Sequence, residues 1–195
     1  YAMYVVSGLL PWVAFTEVAT RATQTVSEHR NLIKYTMFPA ELLPLTSIFG
    51  AISSQVIGLL IIIPLNGLFS GEISWNIVWI FPGLVLQVVF LAGVAWTLAS
   101  VGALLRDVRE IIPIALTAGM FFTPIFYDPS SLPQIVRAVI AVNPLVPLLA
   151  TFRAAIIGSP VNPVTVSVFA VISIALVICG FATFERVRGE LADTL

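Results

Sequence analysis

The chain has 195 residues, of which 59% are hydrophobic and only 10% charged, whereas soluble domains carry about 25% charged residues. That balance excludes a folded soluble domain, and a net charge of −1 supplies no basic field for nucleic acid. Four stretches, 42–71, 73–105, 111–127 and 154–184, hold no charged residue. A hydrocarbon core about 30 Å thick is crossed by about 20 apolar residues in helical form, so the pattern predicts an all-α, polytopic transmembrane bundle of about five spans.

The first span is predicted over about 1–27, with Glu17 and Arg21 as its only charges. Four residues apart, they share one helix face and can pair. Two roles stay open for them: a self-neutralising structural pair near the cytoplasmic end, or a gate that contacts a phosphate-bearing substrate. A polar stretch follows, Glu28-His29-Arg30-Asn31 and then Lys34. Apolar Leu32, Ile33, Met37 and Phe38 beside Arg30 and Lys34 suit either a small docking helix or an amphipathic loop on the membrane. The second span leads to a loop at Glu72, flanked by Trp75 and Trp79, whose rings favour the headgroup level. Small residues crowd the third span at Gly93, Ala95, Ala99, Gly102 and Ala103, which allows helix backbones to approach closely. The loop Arg106-Asp107-Val108-Arg109-Glu110 precedes a fourth span that ends at Tyr127.

The stretch 128–160 differs from the rest. It is rich in proline, and the uncharged run between Arg137 and Arg153 is too short to cross comfortably. Asn can cap a helix start and Pro suits its first turn. Asn143-Pro144 therefore predicts a break between two short helices, about 132–141 and 144–157. The expected arrangement is a re-entrant hairpin dipping into the outer leaflet, which would mark the mouth of a pathway because broken backbone survives at membrane depth only when buried in protein or lining a cavity. The other arrangement is an amphipathic hairpin on the surface. The last span precedes a tail with Arg186 and Arg188.

Arg30, Lys34, Arg106, Arg109, Arg186 and Arg188 lie on one side of this topology, against Arg137 and Arg153 on the other. The positive-inside bias then predicts a cytoplasmic C-terminus and an outside Tyr1. With no signal-like n-region at Tyr1-Ala2-Met3, an outside start also predicts a membrane segment upstream. No N-x-S/T acceptor is present, in keeping with a bacterial protein.

Enzyme chemistry finds no residues. His29 is the sole histidine, no His/Cys/Asp/Glu set has metal-ligand spacing, and no serine stands beside a base. Lys34, the one lysine, is followed by Tyr35, which rules out a Walker A sequence. The single cysteine, Cys179, lies in an apolar run. The spans offer no midplane ionisable group for ion coupling. Catalytic, cofactor-binding and metal-binding residues are therefore expected to be none, and an energy source is expected on a partner chain.

Gly8-Leu9-Leu10-Pro11-Trp12, Asn31-Leu32-Ile33-Lys34, Phe38-Pro39 and Leu43-Pro44 stand in order along the chain. Arg106-Asp107-Val108, Pro124-Ile125-Phe126-Tyr127, Asn143-Pro144, Arg153 and Phe184-Glu185-Arg186 follow. In this order and spacing, over nearly the whole chain, they resemble the ABC-2 type permease subunits of polysaccharide exporters, which move O-antigen, teichoic acid or capsular chains. The family carries an interfacial helix and a first membrane helix ahead of the Gly-Leu-Leu-Pro-Trp region. The resemblance thus implies one permease domain, 1–195, with those two elements missing from its front.

The resemblance further implies a coupling helix at about 31–42, with Asn31, Leu32, Ile33, Lys34, Met37 and Phe38 docking into an ATPase. It implies a homodimer in the bacterial inner membrane with two ATPase subunits, ATP and magnesium being bound by those partners, and a lipid-linked polysaccharide as cargo. The family's channel lies at the dimer interface. Aromatic faces suit the C–H-rich faces of sugar rings, so the candidate lining is Trp12, Phe15, Phe90, Trp96, Phe121, Phe122, Phe126 and Tyr127. Two other functions compete: an ABC-2 permease for drugs or lipids, and a non-transporting membrane scaffold.

Overall fold

The computed structural model describes residues 1–29, 39–70 and 75–194. Among the described residues every regular element is helical. Helix α1 spans Ala2–Glu28, α2 Thr46–Ser70, α3 Ile80–Leu104 and α4 Val108–Phe122. Helices α5, Gln134–Ala141, and α6, Leu145–Ile157, follow, and α7 runs over Pro163–Thr194. Helices α1, α2, α3 and α7 are each long and apolar enough to cross a membrane.

The fourth uncharged run gives a shorter helix than expected. It was expected to span 111–127, but α4 holds 15 residues, about 22 Å at 1.5 Å per residue. Proline disfavours helical backbone in the residue before it, and Thr123, ahead of Pro124, is extended at φ −100° and ψ 128°. The chain nevertheless returns to the Tyr1 end. Gly119 lies against the Trp12 ring, and Tyr1 donates from its hydroxyl to the Phe126 carbonyl at 2.9 Å. Residues 123–127 continue from α4 as turns and bends.

The short helices expected over 132–141 and 144–157 are present as α5 and α6, bent by 93°. Asn143 makes the corner: its Oδ1 accepts from the Leu145 N–H at 2.9 Å, and its Nδ2 donates to Thr123 Oγ1 at 2.9 Å. Gly158 ends α6 at φ 73°, a left-handed cap that glycine adopts without steric cost. Long-range contacts of the pair gather at one end of the bundle. Asn66, near the end of α2, donates to the Ile156 carbonyl, and Gly83, near the start of α3, lies against Thr151 and Phe152.

Helix α1 is central and touches α2, α3, α4 and α6, while α3 packs along α7. Lipid offers no hydrophobic force between helices, so close backbone contact and interhelical hydrogen bonds hold them together. Gly93 and Gly180 bring the α3 and α7 backbones into contact, and Gly102 lies on the Thr23 backbone of α1. These are two of the small positions picked out in the third span, with a partner on α7. Between α2 and α3, the buried amides of Gln55 and Gln87 exchange two hydrogen bonds of 2.8 Å. Gln87→Leu is expected to cost about 1–2 kcal/mol by leaving the Gln55 amide unpaired. Gln55→Leu/Gln87→Leu should recover most of that loss, read from denaturant unfolding of the purified protein.

Candidate functional site

Motifs far apart in sequence meet at the Tyr1 end of the bundle. Arg153 on α6 is only 8% exposed. Its Nη2 donates to the Pro124 carbonyl and, at 3.3 Å, to the Ile125 carbonyl. Its guanidinium carbon sits 3.7 Å from the centroid of the Tyr4 ring, a cation–π contact. A Cβ at Gly8 would lie 3.0 Å from the same Nη2, so the guanidinium packs closely on α1 there. Tyr4 donates onward to the Tyr127 carbonyl at 2.9 Å, and Tyr127 to the Phe121 carbonyl at 3.0 Å. The first turns of α1, the segment after α4 and helix α6 are thus locked by one cation and three phenols. Just outside, the Ser130 backbone N–H donates to Asp128 and holds that carboxyl below its usual range, with a smaller contribution from Arg153.

The candidate aromatic lining divides by position. Trp12 and Phe90 are 5% and 3% exposed. With Phe15 between them they form a run of rings, 5.5 Å and 6.0 Å between centroids, that continues from Phe90 to Phe169 at 5.4 Å. These three rings pack inside the protomer. Phe121 and Phe122 point outward, 66% and 68% exposed, while Phe126 and Tyr127 are half-buried at the Arg153 lock. Trp96 lies elsewhere, edge-on to Phe181 at 5.1 Å.

Glu17 and Arg21 do pair, at 3.0 Å within α1. They face Gly50 of α2. Glu17 lines an otherwise largely apolar groove of about 130 Å3 between α1 and α2, together with Leu10, Val13, Ser54 and Gln55.

Asn31, Leu32, Ile33, Lys34, Met37 and Phe38 lie outside the described residues. Immediately after them the chain makes a 3₁₀ turn, Ala40–Leu42. Ala40 and Leu43 are buried, the Glu41 carboxylate forms an ion pair with Arg188 of α7, and the Trp96 indole donates to the Glu41 carbonyl at 3.0 Å.

Sequence reasoning missed Tyr4, Glu41, Arg188 as a partner, and the Gln55–Gln87 pair. A signal existed for the amides, since polar side chains inside an apolar span usually face protein. Glu41 offered one too, as a lone carboxylate between Pro39 and Pro44 at the foot of a chargeless helix. Among the described residues no group of His, Cys, Asp and Glu could hold a metal ion.

Over its full length the chain is similar to the O-antigen export system permease protein RfbA of Myxococcus xanthus, at 26% identity over 199 residues and 76% of the relative's length. Two proteins of the same name from Klebsiella pneumoniae are 23% and 24% identical, again across 100% of this chain and 76% of their own length. The family model for the ABC-2 type transporter matches residues 2–157, from the first turn of α1 to the last of α6, so the Arg153 lock falls inside the matched region. This multi-pass membrane protein belongs to the ABC-2 type transporter family.

Proposed function

We propose that the chain is the membrane-spanning subunit of an ATP-driven exporter that moves a lipid-linked polysaccharide out of the cytoplasm. The observation that carries this reading is its similarity, end to end, to permeases named for O-antigen export. The subunit works as a homodimer in a bacterial inner membrane, with its C-terminus in the cytoplasm. Two ATPase partners bind and hydrolyse ATP, and the 31–42 segment docks into them.

In this orientation the Arg153 lock is at the outer face, and α5–α6 is a re-entrant hairpin that enters and leaves there. Its contacts with Thr123, Asn66 and Tyr4 all close on that face. The sugar-facing wall is formed by Phe121 and Phe122, which are free of the protomer's own packing, with Phe126 and Tyr127 beyond them. Trp12, Phe15 and Phe90 stiffen the wall from behind. Glu17–Arg21 serves as a structural pair: the carboxylate 3.0 Å away neutralises the cation, so a long polymer meets no fixed charge on which to stick.

The docking assignment is tested by Phe38→Asp in the assembled transporter. A carboxylate set into an apolar contact is costly, and each 1.4 kcal/mol is about tenfold in affinity. Export should fall about tenfold or more while the dimer persists. Normal export by that variant would falsify the assignment. The cargo is tested in cells: deletion should remove surface polysaccharide. Intact polysaccharide with altered drug or lipid efflux would move the cargo to the other class of ABC-2 permease.

A further inference from the structure

We propose that Glu41 and Arg188 are positioning residues that deliver the motion of the docking segment to α3 and α7. The inference rests on the reading that 31–42 engages an ATPase.

A push on a loop between two spans acts first on the helices it joins, here α1 and α2. The described turn at the end of that loop has other attachments. The Glu41 carboxylate pairs with Arg188 on α7. The Glu41 carbonyl accepts the Trp96 N–H from α3 at 3.0 Å. Ala40 and Leu43 on either side are buried. The turn is therefore fixed to two helices that are remote from it in sequence.

Those two helices move together. A Cβ at Gly93 would lie 2.6 Å from the Leu176 backbone carbon, and one at Gly180 would meet the Gly93 carbonyl. Backbones in such contact cannot slide independently, because packed interiors are not continuously deformable. Gly102 against Thr23 adds α1 to the same block. Helix α2, in contrast, meets the block through side chains, with Leu10 against Gly58 and Gln55 bonded to Gln87. A stroke received at 31–42 thus arrives through Glu41 at α3 and α7 as well as at α2, with which the turn is continuous.

The ion pair is partly solvated, with side chains 23% and 46% exposed. Such pairs contribute little to folding stability, so its removal should impair transmission and leave the fold standing. The decisive measurement is glycan exported per ATP hydrolysed, in vesicles holding the chain with its ATPase partner. Arg188→Glu should lower that ratio about fivefold or more, the lower end of typical coupling between sites, with the ATPase still copurifying. Glu41→Arg/Arg188→Glu, which re-forms the pair with its charges exchanged, should restore most of the ratio. Arg188→Gln should behave like Arg188→Glu and serves if the charge reversal prevents recovery of folded protein. Trp96→Phe, which keeps the ring on Phe181 and removes the N–H, should give a smaller loss. A wild-type ratio in Arg188→Glu or Arg188→Gln would overturn the inference, as would a double variant no better than the single. If the wild-type chain neither retained the ATPase nor exported glycan, the underlying reading would fail, and the inference with it.

Discussion

Arg153→Ala is expected to detach α6 from the first turns of α1 and to cost about 3–5 kcal/mol. The estimate combines hydrogen bonds from a charged donor, about 1.5–3 kcal/mol each, with a desolvated cation–π contact of up to about 2 kcal/mol, reduced because such terms do not add fully. The carbonyls of Pro124 and Ile125, both buried residues, would lose a donor. Unfolding of the purified protein in mild detergent measures the loss. Arg153→Lys should fall between the two: an ammonium keeps the charge but lacks the delocalised guanidinium whose Nη2 bonds the carbonyls while its carbon sits over the Tyr4 ring. Equal stability of wild type and Arg153→Ala would show that the lock holds nothing.

The second large effect is expected at Gly93. The atoms nearest a new methyl are backbone atoms of Leu176 and Val177, the closest at 2.6 Å, so no side-chain rotamer can relieve the clash. Gly93→Ala should separate α3 from α7 and cost about 2–3 kcal/mol, in the upper part of the range for overpacked sites. Gly93→Leu should prevent recovery of the assembled protein. Gly189→Ala is the control, since nothing lies within 4 Å of a Cβ there. That change should be neutral or stabilise α7 by up to about 1 kcal/mol, the helix propensity difference between the residues. Matching losses at both positions would mean that close packing is not what holds α3 to α7.

Hydropathy and proline placement made the architecture legible. Chargeless runs become helices in lipid because every backbone polar group must be satisfied within the segment, and this marked α2, α3 and α7, while α1 was marked by an apolar run broken only by Glu17 and Arg21. Asn143-Pro144 announced its own corner, because a capping amide followed by a ring with fixed φ has few other uses. The early end of α4 was legible as well, in Pro124, but the absence of charge drew the predicted span on to Tyr127. Side-chain partners were not legible. Gly8, Pro124 and Arg153 were each noticed as motif residues, but nothing in one sequence said that they touch, since the contact depends on how α1, α4 and α6 pack. The aromatic set failed to sort for the same reason: Trp12 and Phe121 look alike as letters, and only packing turns one inward and the other outward.

The lock between Tyr4 and Arg153 also sets an order of events during synthesis. Tyr4 enters the membrane among the first residues of this segment, while Arg153 leaves the ribosome after four of the long hydrophobic runs have already been inserted. Until then the carbonyls after α4 and the ring face of Tyr4 await a cation that has not been made. Between the synthesis of Ile125 and that of Arg153 the half-built chain therefore carries backbone carbonyls without the donor they have in the finished fold, and a chain that stops there lacks the lock. A nonsense mutation just ahead of Arg153 should be cleared from the membrane faster than one placed after α6.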